Sequence, residues 1–344
     1  MRQIFLTGGS GLVGGALLDS LCARGDAVVA LARSDAAATA LRVRGAAVAR
    51  GDVLDEDALA AGMAGCELVF HAAGINTLCP SDPVALFHVN VRGAEAVVRA
   101  AARAGVRRVV HTSSAASLGE ARGTIGDESS THRGSYLSAY ERSKHEGELA
   151  AFETARHAGV ELVSVNPSSV QGPGRSAGTG RILLAYLNGR LKAFLDTNLS
   201  LVDIQDCTAG HLLAAERGRP GERYVLNGVA LTSLEALEIV ADLTGVRDRP
   251  RIVPGPLASA AAALAEGGFR LAGRTPPFCR EMVRTLRHGH RYDGSRATRE
   301  LGLVYTPVRA TFARTVEWAL GAGLVTRPLP SWRPPSGVVA NTAG

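Results

Sequence analysis

The stretch "TGGSGLVGG", Thr7–Gly15, limits what this chain can fold into more than any other segment of it. It follows a short apolar run, "QIFLT", and opens a segment with helical periodicity, Leu12–Arg24. Two glycine templates fit it at once: Gly9-x-Gly11-x-x-Gly14 and Gly8-x-x-Gly11-x-x-Gly14. In both, glycine permits a tight strand-to-helix turn and a close backbone approach to a pyrophosphate. That group then rests on unpaired amides at the positive end of a helix. A turn of this kind predicts dinucleotide binding, with Gly8, Gly11, Leu12, Val13 and Gly14 around the phosphates.

The rest of the first half supports that reading. "AVVALA", "AAVAR", "ELVFHAA", "RRVVHTSS" and "VELVSVNPSS" are apolar runs without strict alternation, separated by helical segments that include Pro83–Ala104. Such runs suit strands buried on both faces, and strand–helix alternation predicts a Rossmann-type, doubly wound parallel α/β sheet. After Pro167 the rhythm breaks at "SSVQGPGRSAGTG", where the chain can leave the sheet to build a substrate wall. We therefore expect a nucleotide-binding domain over 1–166 and a smaller α+β substrate region over 167–327. That second region is free to return elements to the first. Residues 328–344, rich in Pro and small residues, read as a poorly ordered tail.

The end of the second strand tests which dinucleotide is bound. A site for NAD offers an acid to the ribose there, but this chain has "ALARSD", with Arg33 in that place and Asp35 two residues on. A guanidinium suits the additional phosphate of NADP(H), which is the expected cofactor; Asp35 leaves NAD(H) possible. Asp52, with Val53 beside it, follows the third strand and is placed to meet the adenine amine or to cap a helix.

Composition excludes several classes. The five cysteines are scattered, odd in number and without metal-like spacing. That predicts reduced thiols in the cytoplasm, with neither a disulfide framework nor a zinc site. The most Ala-rich stretch, "LASAAAALAEGGF", is too short to span a bilayer and holds Glu266, and no signal-peptide architecture opens the chain. From Arg247 onward there are 15 arginines and no lysine against 6 acidic residues, within a net charge of +6. No nucleic-acid motif or aromatic stacking pattern accompanies this basic third. A solvated, arginine-biased surface is the expectation, with a small molecule rather than nucleic acid as partner.

"AYERSKHEGE", Ala139–Glu148, sets Tyr140 and Lys144 four residues apart, on one face of a helix. Alone it reads as a solvated surface. In the company of "GDVLD", "FHAAG", "NVRGAEAVVRAA", "RRVVHTSSAASLG" and "VNPSSVQGPG", all in order over residues 1–174, it resembles an extended short-chain dehydrogenase/reductase. The chain is most similar to the branch of dihydroflavonol-reductase-like enzymes and hopanoid-associated sugar epimerases. The resemblance implies a catalytic triad of Ser114, Tyr140 and Lys144, with Ser113 as the fallback hydroxyl. It places Ala72 and Ala73 along the cofactor's riboses and Pro167–Val170 beside the nicotinamide. It makes Asn90 a structural residue, and it implies a homodimer through helices covering 90–104 and 140–156. On the active helix, Glu141, Arg142, His145 and Glu148 are expected to face water or a partner.

The chemistry needs these residue types. Hydride moves to or from a carbon while a proton moves on or off its oxygen, so a group of matched acidity must touch that oxygen. A free tyrosine titrates near ~10, and the Lys144 ammonium, with the oxidised cofactor's charge, is expected to lower that value. Ser114 would donate a hydrogen bond to the reacting oxygen. Relatives that act on nucleotide sugars place an arginine just before the strand read here as "NLSLVD". This chain has Asn198, Leu199 and Ser200 there, and Asp203 adds negative charge. Arg175 and Arg181 in the Gly-rich loop region, with Asn166 and Ser114, are the remaining substrate contacts. A carbonyl reductase or alcohol dehydrogenase is favoured. A redox-neutral epimerase or dehydratase comes second, and a dinucleotide-sensing module is the remote alternative.

Overall fold

The computed structural model describes residues 2–274, 276 and 278–333. Its strands are β1 (Gln3–Thr7), β2 (Ala27–Ala32), β3 (Ala47–Arg50), β4 (Leu68–His71), β5 (Arg108–Thr112), β6 (Glu161–Pro167), β7 (Ser169–Gln171), β8 (Ala193–Phe194), β9 (Asn198–Asp203), β10 (Arg223–Leu226), β11 (Val229–Thr232) and β12 (Arg251–Ile252). Seven of them form one parallel sheet in the order β10-β6-β5-β4-β1-β2-β3. Every neighbour in that order is parallel, and the register sets Leu6 against Phe70 and Thr7 against His71. The order reverses between β1 and β4, so a crevice opens at their carboxyl ends, where open α/β sheets bind ligands.

The helices are α1 (Leu12–Ala23), α2 (Asp35–Val43), α3 (Glu56–Met63), α4 (Pro83–Phe87), α5 (Gly93–Arg103), α6 (Ala139–Ala158), α7 (Thr179–Leu187), α8 (Ile204–Arg217), α9 (Ser233–Thr244), α10 (Gly255–Leu271), α11 (Arg280–His288) and α12 (Val308–Gly321). Two apolar layers cover the sheet. One packs Ile4, Leu17, Leu21, Phe70, Val165 and Cys207. The other packs Phe5, Leu59, Val69, Val97 and Val109. Each such side chain taken from water contributes about 1.5–3 kcal/mol, which is why the strands are apolar on both faces. The segment Pro83–Ala104 is not one uniform helix: a π-turn, His88–Arg92, joins α4 to α5. π-Turns recur near functional sites, and this one carries Asn90 inward.

The chain after residue 167 returns to the sheet, because β10 pairs with β6 and α8 packs against β5 and β6. The remainder builds a smaller unit, with β9 between β7 and the antiparallel β11. Its core joins Leu183 and Tyr186 of α7, Val240 of α9, and Phe312 and Val316 of α12. α9 opens on a capping box, Thr232 with Glu235, and ends on left-handed Gly245.

Two expectations are corrected here. Cys79 and Cys279 are joined as a disulfide across 200 residues, so only Cys22, Cys66 and Cys207 are free thiols. Spacing along the chain hid this pair, because the fold alone brings its α-carbons to 6.0 Å. The bond ties Cys279, the residue before α11, to the loop after β4. The start of the expected tail is also ordered: Leu329 and Trp332 pack on the C-terminal core, and Ser331 N donates to the Thr244 carbonyl. Residues 334–344 lie outside the described residues. Among the described residues no helix is long and apolar enough to cross a membrane.

Candidate active site

The glycine turn is built as the second template requires. Gly8 has φ +75°, a conformation that L side chains rarely adopt. A Cβ there would stand 2.5 Å from the Ala72 carbonyl carbon and the Ala73 nitrogen. At Gly14 it would stand 2.2 Å from the Gly8 carbonyl oxygen. Gly9 would meet only the ends of the Leu41 and Leu6 side chains. The turn is held by Gly11 N donating to the Gly8 carbonyl at 2.9 Å. No side chain caps the start of α1 and its first turn has no acid, a helix start whose free amides suit an anion. This arrangement fits a dinucleotide pyrophosphate. Leu12 also meets the loop after β7, where a Cβ on Gly174 would come within 3.0 Å of it.

The neighbouring strands add their ends to the same crevice. Ala72 N donates to the Thr7 carbonyl and Ala73 N to Thr7 Oγ1, both at 3.2 Å, which draws the end of β4 against Gly8. Arg33 is largely exposed at the end of β2, with Asp52 3.8 Å away. Asp35 is fully exposed and pairs with Arg50 at 3.1 Å. Ser34 caps α2, and Asp52 accepts from Leu54 N at 3.0 Å. Val53 is buried against Gly93. Pro167 and Val170 are buried where β6 passes into β7.

Ser138 caps α6 by accepting from Glu141 N, so Tyr140 stands in the first helical turn. The positive end of the helix there favours a phenolate. Lys144, one turn on, is buried and donates from Nζ to the Thr112 carbonyl at 2.8 Å. Burial brings its ammonium down to about 8, opposed by Glu148. Ser114 both caps a short turn, accepting from Ala116 N at 3.3 Å, and stands against the Tyr140 phenol. Ser113 points elsewhere, toward Ser117, and is buried, so Ser114 is the hydroxyl that reaches the site.

Burial raises the Tyr140 phenol above its ordinary value; Ser114 and the charge of Arg175 oppose it. The expected lowering by Lys144 is not what this chain supplies on its own. The lysine's Nζ is turned to Thr112, and Arg175 takes the electrostatic part. Arg175 is half-buried, and its Nε has no hydrogen-bond partner. Arg181 lies exposed on α7 and does not join it.

Asn166, expected among the substrate contacts, has its amide engaged inside the protein. It is fully buried, and its amide donates to Ser117 Oγ at 2.9 Å, to the Ser114 carbonyl at 3.3 Å and to Glu148. Glu148 also accepts from Ser164 at 3.1 Å and pairs with Arg223 at 3.2 Å. The expectation that Glu141 and Glu148 face water is therefore corrected. Both are buried, and Glu141 pairs with Arg133. His145 is also turned inward, its Nδ1 2.8 Å from the Ser117 carbonyl oxygen. Only Arg142 keeps the solvated role, beside Glu146. Buried carboxylates with partners hold the helix in one setting behind Ser114. Asn90 does the same on the other side: Nδ2 donates to the Ile75 carbonyl and to Ser143, and Oδ1 accepts from Ile75 N.

Sequence reasoning missed three buried histidines beneath the site. His71 on β4 stands beside His111 on β5 at 5.2 Å between rings, and His211 on α8 lies 3.0 Å from Thr112 Oγ1. Burial first, then neighbouring Lys144, brings His71 down to about 3. Burial brings His211 down to about 4, and His111 is also well below its usual value. In the folded state these rings stay neutral while the unfolded chain takes up protons below ~6.5. Stability is thus expected to be full above that pH and to fall as pH drops from ~6.5 toward 4, by about 1.4 kcal/mol per pH unit for each histidine. Urea denaturation at stepped pH checks this. His211→Gln should flatten the slope, and an unchanged slope would show that His211 does not contribute to it.

Comparisons agree with this geometry. Residues 4–226 match the model of the NAD dependent epimerase/dehydratase family. The chain is 35% identical over 327 residues to "Sterol demethylase protein B" of Methylococcus capsulatus, covering 93% of this chain and 99% of that protein. It is 33% identical over 308 residues to a 4-hydroxy-2-methyl-3-oxo-4-farnesyl-3,4-dihydroquinoline-1-oxide ketoreductase of Stigmatella aurantiaca, covering 87% and 91%. Among solved structures, a nucleoside-diphosphate-sugar epimerase from Pseudomonas aeruginosa superposes with TM-score 0.77 at 25% identity, covering 94% and 99%.

Proposed function

The chain belongs to the NAD dependent epimerase/dehydratase family and is an extended short-chain dehydrogenase/reductase enzyme, and from that premise we propose an NADP(H)-linked carbonyl reductase or secondary-alcohol dehydrogenase. The observation that carries the reading is the convergence of Ser114, Tyr140 and Arg175 beside the glycine turn, with Lys144 one helical turn away. When bound, the nicotinamide supplies or accepts the hydride. Tyr140 moves the proton on or off the substrate oxygen, and Ser114 orients that oxygen with its hydroxyl. Lys144 anchors the base of the site and would hold the nicotinamide ribose, and Arg175 stabilises negative charge as it develops on the phenol.

The names of the two relatives support a mid-sized, ring-bearing substrate with a ketone or secondary hydroxyl. Asp203, whose added negative charge the sequence set against a nucleotide sugar, is buried and paired with Arg314. The missing arginine before β9 weighs against a nucleotide-sugar substrate. A homodimer through the outer faces of α5 and α6, where Leu149 is half exposed, belongs to the same proposal.

Stoichiometric NADPH consumption with cyclic ketones tests this reading. Tightly retained cofactor with no net turnover across the panel would move the assignment to a redox-neutral epimerase. Arg33→Ala is expected to weaken NADPH by about tenfold, the worth of roughly 1.4 kcal/mol, and to leave NADH nearly unchanged. Equal loss for both cofactors, measured by titration, would remove the NADP preference.

A further inference from the structure

We propose that Glu120, His288 and His290 form a binding site for one divalent metal ion of the zinc or cobalt class. Glu120 lies 168 and 170 positions before the two histidines, and no spacing in the chain pointed to them. Their ligand atoms all lie within 4.8 Å of one another. Glu120 Oε1 is 2.6 Å from His290 Nδ1 and 3.2 Å from His288 Nε2.

Two local features build the cluster. Gly119, with φ +61°, ends the short turn after Ser114 and sends Glu120 inward. Gly289, with φ +74°, ends α11 and folds the chain so that both imidazoles stand together, 4.8 Å between rings. Glu120 is only 2% exposed, yet its Oε2 has no partner, and His288 Nε2 has no hydrogen bond of acceptable geometry. An unsatisfied buried carboxylate oxygen costs about 1–3 kcal/mol, and a coordinated cation removes that cost.

The donor set decides the metal. Two imidazoles and one carboxylate, with a further position left for water, are a zinc-type set. His288 lines a cavity of about 380 Å³ with Arg122, Arg284 and Arg287, so that further position is accessible from the cavity. These guanidiniums, and Arg133 donating to the Glu120 carbonyl, oppose any cation by charge alone. Affinity must therefore come from imidazole coordination, which excludes magnesium and calcium. The Tyr292 hydroxyl stands 2.9 Å from the same His290 Nδ1 and must turn aside when that nitrogen takes the ion. The bound ion would fasten the segment after α11 to the loop that follows Ser114.

The test uses untagged full-length protein, stripped with chelator and titrated with Co²⁺. Visible d–d absorption saturating at one equivalent, displaced by Zn²⁺ and unaffected by Mg²⁺, is expected. Glu120→Gln and the double variant His288→Ala, His290→Ala should weaken uptake by roughly 100-fold. Zn²⁺ should also raise the melting temperature of the wild-type chain and leave Glu120→Gln unmoved. If the double variant does not fold, by circular dichroism in chelator, the near-isosteric Glu120→Gln carries the comparison. Absent saturable uptake by the wild type, or equal uptake by Glu120→Gln, overturns the proposal.

Discussion

Tyr140→Phe is expected to lower turnover by roughly 10²–10⁴-fold while leaving cofactor affinity nearly unchanged. The substitution keeps the ring, its packing and the first turn of α6, and removes one oxygen. That oxygen stands where the Ser114 hydroxyl and the Arg175 guanidinium converge. The glycine turn proposed to hold the pyrophosphate, Gly8–Gly14, is a different part of the chain and does not depend on the phenol. Steady-state rates with NADPH and a cyclic ketone, together with cofactor titration, separate the two effects. Unchanged turnover would take Tyr140 out of the proton-transfer role. A parallel loss of cofactor binding would make it a cofactor residue instead.

Gly8→Ala is expected to reduce cofactor affinity by roughly 100-fold or more, about 3 kcal/mol, whereas Gly9→Ala should be mild. A side chain at Gly8 must adopt a left-handed conformation that costs about 1–2 kcal/mol. It must also push β4 from β1, because three backbone atoms of Ala72 and Ala73 lie 2.5–2.6 Å from the new carbon. Those atoms line the crevice, so relieving the overlap opens the cofactor site. At Gly9 the nearest atoms are the ends of leucine side chains, 2.9 Å and 3.2 Å away, which can turn aside. Isothermal titration with NADPH on both variants decides it. Equal losses would mean that the Gly9 template governs as much as the Gly8 template.

The sheet was readable because short apolar runs set between helical segments suit strands buried on both faces. β1 to β6 stand where those runs are, and the strand-to-helix position of the glycine turn follows from local backbone geometry. The role of Asn166 was not readable. Its place after a strand suits substrate contact as well as burial, and only the arrival of Glu148 from α6 and Ser117 from the turn after β5 consumes its amide. Charge misled in the same way on α6. Glu141 and Glu148 look solvated until Arg133 and Arg223, from distant segments, come to neutralise them.

The sequence by itself determined the parallel sheet and the strand-to-helix glycine turn; the Ser114, Tyr140 and Lys144 set came from the family resemblance. The first two rest on local pattern: short apolar runs between helical periods of 3.6 residues, and glycines where a strand turns into a helix. The tertiary structure alone decided which glycine template applies, which serine faces the phenol, and that Arg175 rather than Arg181 attends it. It alone also joined Cys79 to Cys279 and gathered Glu120 with His288 and His290. All of these depend on segments up to 200 residues apart meeting across a packed core. Burial and long-range contact set partner, charge state and orientation there, and neither leaves a period in the chain.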